Sequence, residues 1–276
     1  MMKKRAGKTL LFVIKQMQDQ YYQGVAAELG FFFLMSMVPL FILLGQVLGL
    51  FSISLDVLQE ILTEYVSPEL AENLKGYVSY NAAGSFNIVF IVVAVWAASR
   101  AQYAMIQLAN YAYTGKAFGG RAFIKERLRS MKLVLLTIIL IAFSLVILIY
   151  GEALIKMLGF YVQQNTQLSF RFNNIWYILR WPAGFALYIF VVSYIYYQLP
   201  YQKQPFKKVL PGSIAASVGM LIATWAYSYY IGNFANYDLL YGSLAAIVIL
   251  MFWFYILGHV LLFGIVFNVA WDKAGG

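Results

Sequence analysis

The chain has 276 residues, 62% of them hydrophobic and 11% charged, with a formal net charge of +9. A soluble domain carries roughly 25% charged residues, so this composition excludes an ordinary soluble domain and points to the membrane class. Cysteine is absent and histidine occurs once, which excludes disulfides, thiolate catalysis, Cys-ligated zinc or iron–sulfur sites and a His-cluster metal site; no cofactor is expected.

Residues 1–8 are basic, but the apolar run after them is short and no small-residue cleavage site follows, so no cleavable signal peptide is expected. Residues 8–22 read as an amphipathic helix with Leu10, Ile14, Met17 and Tyr21 on one face. Such a helix lies on the membrane surface or packs on the protein's own loops. The first apolar span covers about 25–52, with Glu28 near its entry and Pro39 inside it. Proline removes a backbone donor and crowds the preceding turn, so a kink near 35–38 is expected. Residues 53–84 carry no span. A short apolar stripe there is followed by Ser67, Pro68 and Glu69, a helix-start pattern, and two short surface helices are expected.

Further spans read at about 86–113, 131–151, 175–199, 209–231 and 241–268, with residues 152–174 as a polar connection. The last run holds no Asp, Glu, Lys or Arg over 28 residues. As a helix it is about 42 Å long, more than the ~30 Å hydrocarbon layer requires. No long linker divides the chain, so the expectation is one domain: an all-α polytopic membrane bundle of six transmembrane helices with short amphipathic surface helices.

Charge position sets the expected orientation. Fifteen of the 20 Lys and Arg fall in the N-terminal segment, the loops after the second and fourth spans, and the C-terminal tail. The positive-inside rule then places both termini in the cytoplasm. The basic segments face anionic lipid headgroups in this reading, and their alternation with apolar runs argues against a nucleic-acid surface.

Within the spans, Arg100, Tyr103, Gln107, Asn110 and Thr114 step by three and four and share one helix face. A charge within hydrocarbon costs at least ~2.5 kcal/mol, so this stripe is expected to face the bundle interior or water, with Glu28 as the candidate partner of Arg100. It serves either as a polar substrate path or as structural glue between helices. Gly212, Ala216, Gly219 and Ala223 form a small-residue face, suited to close helix packing or, alternatively, to a pore lining. His259 is either a proton relay or a packing residue.

Several segments resemble the YihY/BrkB family of bacterial integral membrane proteins, once labelled ribonuclease BN. They are AAELGFFFLMSMVPLF at 26–41, the segment from Arg100 to Asn110, LP at 199–200 with PGSIAAS at 211–217, and YGSLAAIVILMFWFY at 241–255 with GIVFN at 264–268. The resemblance implies a six-span inner-membrane protein, a transporter or export factor, with no catalytic set attached. A transporter for a lipid-like or small solute predicts a cavity between spans. A structural or partner-binding membrane protein predicts a solid bundle. An enzyme such as a ribonuclease is disfavoured by the lack of any acidic pair within the spans. Oligomeric state is not legible.

Overall fold

The computed structural model describes residues 2–49, 88–115, 123–165, 175–234 and 243–274. The expected surface helices of 53–84 lie outside these residues. Seven helices make up the described chain: α1 (Met2–Met17), α2 (Gln20–Gly49), α3 (Ile88–Thr114), α4 (Phe123–Asn165), α5 (Ile175–Gln198), α6 (Phe206–Phe234) and α7 (Ser243–Lys273). No strand occurs among the described residues. Among the described residues four helices contain stretches long and apolar enough to cross a membrane, at Phe123–Leu148, Ile178–Gln198, Phe206–Ile231 and Ile247–Lys273.

Local chemistry sets several helix ends. Asp19 separates α1 from α2, and its carboxylate accepts the Tyr21 N–H at 2.9 Å, capping a donor that the first turn of α2 leaves free. Gly115 ends α3 at φ 70°, and its N–H donates to the Tyr111 carbonyl at 2.7 Å. That left-handed conformation is one a side chain resists, which explains glycine at this C-terminus. α2 runs unbroken through Pro39.

α4 departs from the sequence reading. It is one helix of 43 residues, about 64 Å long at ~1.5 Å per residue. It begins well before 131, and it continues to Asn165 through residues read as a polar connection. The scattered polar side chains beyond 151 do not interrupt it, because no proline or capping signal stands there.

The helices α2 to α7 close a ring in chain order, each packing on the next and α7 returning to α2. α1 lies outside the ring against the end of α7. Thr9 and Val13 of α1 are buried while Leu11 and Ile14 are exposed, and Lys273 Nζ lies 5.2 Å from the Phe12 ring centroid. The buried side of α1 is thus that of Val13, not that of Ile14. The physical reason is that α7 continues past its apolar run to Lys273 and supplies a protein surface there.

α7 is the element that most of the ring touches, and small residues set how close its neighbours come. A Cβ on Gly212 of α6 would stand 2.0 Å from the Gly264 carbonyl oxygen and 2.6 Å from Asn268 Cγ. One on Gly264 would meet Tyr196 Oη at 2.6 Å and Ala216 Cβ at 2.7 Å. On the other side, Gly30 of α2 lies against the Tyr255 backbone and Gly258 against the Ala26 carbonyl, each with 2.9 Å to a built Cβ. Overpacking of this kind costs about 1–3 kcal/mol. Gly264→Val should therefore lower the thermal unfolding midpoint of the detergent-purified protein clearly, whereas Gly24→Ala, where a Cβ meets nothing within 4 Å, should leave it unchanged.

Candidate functional site

A partly open cavity of about 440 Å³ lies between the helices of the ring, and all six of them line it. On α4 the lining runs from Val134 to Leu148, about 21 Å of helix at ~1.5 Å per residue. The walls are almost wholly apolar. α3 contributes Ala98, Ala101, Gln102 and Met105, and Gly184 of α5 leaves room opposite Leu148. Among the described residues no charged side chain lines the cavity.

Its few polar groups are mostly occupied with their own helices. Ser36 donates to the Phe33 carbonyl at 3.2 Å, Ser144 to Leu140 at 2.8 Å and Thr137 to Leu133 at 2.8 Å. Tyr196 donates across helices to the Leu261 carbonyl at 2.7 Å. Gln102 spans from α3 to α4 and donates to Thr137 Oγ1 at 3.4 Å.

Toward the end of the ring that carries the termini, the apolar interior gives way to a buried polar layer. Glu126 and Arg127 are 2% and 3% exposed. Glu126 lies near Gln107, Tyr103 and Tyr201, with its Oε1 left without a hydrogen-bond partner among the described residues. Arg127 donates to the Trp96 carbonyl and stacks over the Trp96 ring at 4.2 Å, so its charge is met by a carbonyl dipole and a ring face. Arg129 donates to the carbonyls of Gln198 and Pro200 and lies 4.7 Å from the Tyr201 ring centroid. Asn110 Oδ1 accepts the Tyr201 N–H at 2.8 Å. Burial and the neighbouring Glu126 push the Tyr201 phenol above its ordinary value. These contacts tie the α5–α6 connection to α3 and α4. Asn268 Oδ1 ties α6 to α7 by accepting the Gly212 N–H at 2.7 Å, and Lys208 pairs with Asp272 at 2.7 Å.

The residues singled out from sequence do not form one site. Arg100 is exposed on the outer side of α3 and not turned to the cavity. Its guanidinium lies 5.8 Å from the Phe32 ring centroid, one turn along α2 from Glu28, which is also exposed and near enough for the two charges to interact. Tyr103 and Gln107 are half-buried and bonded to each other at 2.8 Å. Asn110 is buried in the polar layer. Gly212, Ala216 and Gly219 lie at the α6–α7 crossing and Ala223 is half-buried beyond them. His259 is half-buried, with Nδ1 3.1 Å from the Tyr255 carbonyl and its ring edge-on to Tyr255.

Arg100 alone of the stripe is exposed, because the opposite face of α3, with Ala98, Ala101, Gln102 and Met105, packs in the ring, whereas further along the helix Asn110 is buried against the α5–α6 connection. Gln102 went unremarked in the sequence because it is uncharged and falls between the more conspicuous Arg100 and Tyr103. The signal available was a lone amide on an otherwise apolar helix face.

The family model described as "Virulence factor BrkB" matches residues 13–275. The chain belongs to the virulence factor BrkB family. Among its BrkB-like relatives, it is 28% identical over 245 residues to the putative ribonuclease-like protein YfkH of Bacillus subtilis, covering 88% of this chain and 87% of that one. It is 24% identical over 246 residues to a UPF0761 membrane protein of Xanthomonas campestris pv. campestris, covering 87% of this chain but 55% of the longer relative. A UPF0761 membrane protein of Alteromonas mediterranea is 31% identical over 93 residues, 34% of this chain and 31% of that one. No solved structure matches. With this family and its apolar helices, the chain is a multi-helix membrane protein.

Among the described residues no group of three or more His, Cys, Asp or Glu is placed to hold a metal ion. What the ring offers is a long apolar compartment, bounded on one side by a hydrogen-bonded polar layer. Asn110→Ala removes the acceptor of the Tyr201 N–H. A neutral hydrogen bond contributes about 1 kcal/mol, so amide exchange at Tyr201 should accelerate about fivefold while exchange in the middle of α7 stays unchanged.

Proposed function

We propose that this protein takes a lipid-like amphiphile into the ring cavity and moves it across the bacterial inner membrane, as a transporter or export factor. The observation that carries this reading is the cavity itself. A purely structural bundle gains stability by filling its interior, whereas this ring keeps about 440 Å³ open among six helices. That volume lies within the range of small-molecule sites, roughly 300–1,000 Å³. Its apolar walls suit an alkyl chain and disfavour a hydrated ion or sugar. Partner binding without transport is the second reading, and it draws no support from the cavity.

In this proposal six helices cross the membrane, both termini lie in the cytoplasm, and the basic connections meet anionic headgroups. The protein is not an enzyme in this reading. YfkH is named a putative ribonuclease-like protein, but one His, no Cys and scattered carboxylates leave no constellation for RNA hydrolysis in this chain.

Two measurements test this. In proteoliposomes, fluorescently labelled phospholipid should cross faster than in protein-free vesicles, and Gly184→Phe, which fills the cavity, should return the rate to the protein-free value. Equal rates with and without protein, across a broad lipid panel, sink the transport reading. Because the chain has no cysteine, single cysteines replacing Lys4 and Lys203 report sidedness directly. Both should be shielded from a membrane-impermeant thiol reagent in intact cells and react once the cells are opened.

A further inference from the structure

Arg100 and Arg127 are like charges that the protein brings together on its outer side. Arg100, on α3, is exposed, and Arg127, on α4, is buried behind it. The two guanidiniums are near enough to repel. Arg127 donates to the Trp96 carbonyl and lies over the Trp96 and Tyr103 rings, and Arg100 lies near the Phe32 ring. Among the described residues no carboxylate lies within ion-pair distance of either arginine. Glu28 acts on Arg100 at longer range, and Glu126 acts on Arg129. The charge balance of this patch is therefore positive.

The patch stands where the outer surface changes from charged to apolar. Trp96, Val93 and Val92 follow Arg100 at helical spacing on one face of α3, and all three are exposed. Met35 of α2, one turn beyond Phe32, is exposed as well. On α4, Lys132 is exposed, and the exposed residues that follow it include Leu135 and Ile139. Val95 and Ala98 of α3 share a packed cluster with Val134 and Ile138 of α4, so Arg100 lies near the level at which charge ends on α4. That is the level of lipid headgroups, with a tryptophan where interfacial aromatics collect. An arginine there lays its stem along apolar surface and keeps its head in the polar zone, and a guanidinium grips a phosphate with two parallel hydrogen bonds.

We infer that Arg100 is the headgroup ligand of a site for an anionic phospholipid on the outer face of α2 and α3. The lipid phosphate accepts from the Arg100 guanidinium, Arg127 adds attraction from behind without touching it, and the acyl chains lie along Trp96, Val93 and Met35. Basic patches between membrane helices take anionic headgroups in this way. A zwitterionic lipid brings a cation of its own to a positive patch, and a second copy of the chain brings a second positive patch, so both fit it less well. The site is apart from the basic connections between helices and does not depend on the ring cavity carrying a solute.

The purified full chain in an uncharged detergent is titrated with dioleoylphosphatidylglycerol or dioleoylphosphatidylcholine, and bound lipid is counted by native mass spectrometry. The first phosphatidylglycerol should bind at about one-fifth of the concentration that phosphatidylcholine needs, the effect of one arginine near a charged surface. Arg100→Gln should remove that preference. Glu28→Gln takes away the competing carboxylate and should strengthen phosphatidylglycerol binding. Lys203→Gln, the same loss of charge in the α5–α6 connection, should leave the first binding step unchanged.

Equal binding of the two lipids by the unmodified protein overturns the site. So does a loss on Lys203→Gln as large as that on Arg100→Gln, which assigns the preference to net charge. Weaker phosphatidylglycerol binding on Glu28→Gln also overturns it, because Arg100 and Glu28 then act as an internal pair. Displacement of the lipid by an equal concentration of glycerol phosphate assigns the patch to free phosphate esters, and a lipid-free dimer that Arg100→Gln dissociates assigns it to a second copy. Glu28→Gln predicts a gain, which a misfolded variant does not produce. None of these outcomes bears on flux through the cavity, so failure of this site and failure of the transport reading are told apart.

Discussion

The close approach of α7 to α6 and α2 is the contact on which the ring depends. Gly212 meets Gly264 on one side and Gly30 meets Tyr255 on the other, at separations that leave no room for a Cβ. Inside a bilayer there is little hydrophobic gain in bringing two apolar helices together, because lipid chains are equally apolar. Association rests instead on surface-to-surface packing and on interhelical hydrogen bonds. Small residues provide the first. The Asn268–Gly212 and Tyr196–Leu261 hydrogen bonds, at the same crossing, provide the second. With α7 so held between α6 and α2, the ring closes through its chain-order neighbours.

Closure has a consequence for the interior. A ring of six helices leaves a central space larger than a two- or three-helix contact, and large side chains have to fill it or leave it open. Here Ala98, Ala101 and Gly184 are among the residues that face inward, and the space stays open along much of α4. The polar residues are not spread through that space. They gather at the end that carries the termini, where Arg127, Arg129 and Asn110 bind backbone groups and the two arginines also lie over aromatic rings. Buried charges are tolerated when each is met by dipoles and hydrogen bonds, and Arg127 illustrates this with a carbonyl and the Trp96 face as its partners. The result is a layer that fastens the α5–α6 connection and an apolar compartment beyond it with a single amide at Gln102.

The outer surface carries a second electrostatic feature. Arg100 and Glu28 sit on neighbouring helices, one turn apart in level, and both are exposed. The guanidinium rests by Phe32 and near the Glu28 carboxylate. Its position follows from α3 having two dissimilar faces. The face with Ala98, Ala101 and Met105 buries well inside the ring, which turns Arg100 outward.

Much of the architecture was legible in the chain because its cause is local. Long uncharged runs need their backbone groups satisfied within the segment, which makes them helices, and the spacing of Gly212, Ala216 and Gly219 marks a face where a neighbour can come close. The C-terminal glycine of α3 and the Asp19 cap are equally local. What was not legible came from contacts between distant segments. The length of α4 exceeded its apolar run because nothing local stops a helix after residue 151. The buried side of α1 was decided by the extension of α7, more than 200 residues away in sequence. The polar stripe of α3 was readable as a stripe, but not that its members would be split, with Arg100 exposed and Asn110 buried. Helical periodicity says which residues share a face and cannot say which face the neighbours will cover. For the same reason Gln102 became visible only once six helices had been brought around it. By itself the sequence determined a helical membrane protein and its close-packing surfaces. The tertiary structure alone decided where the empty space lies and which side chains line it, since a cavity is a property of no single segment.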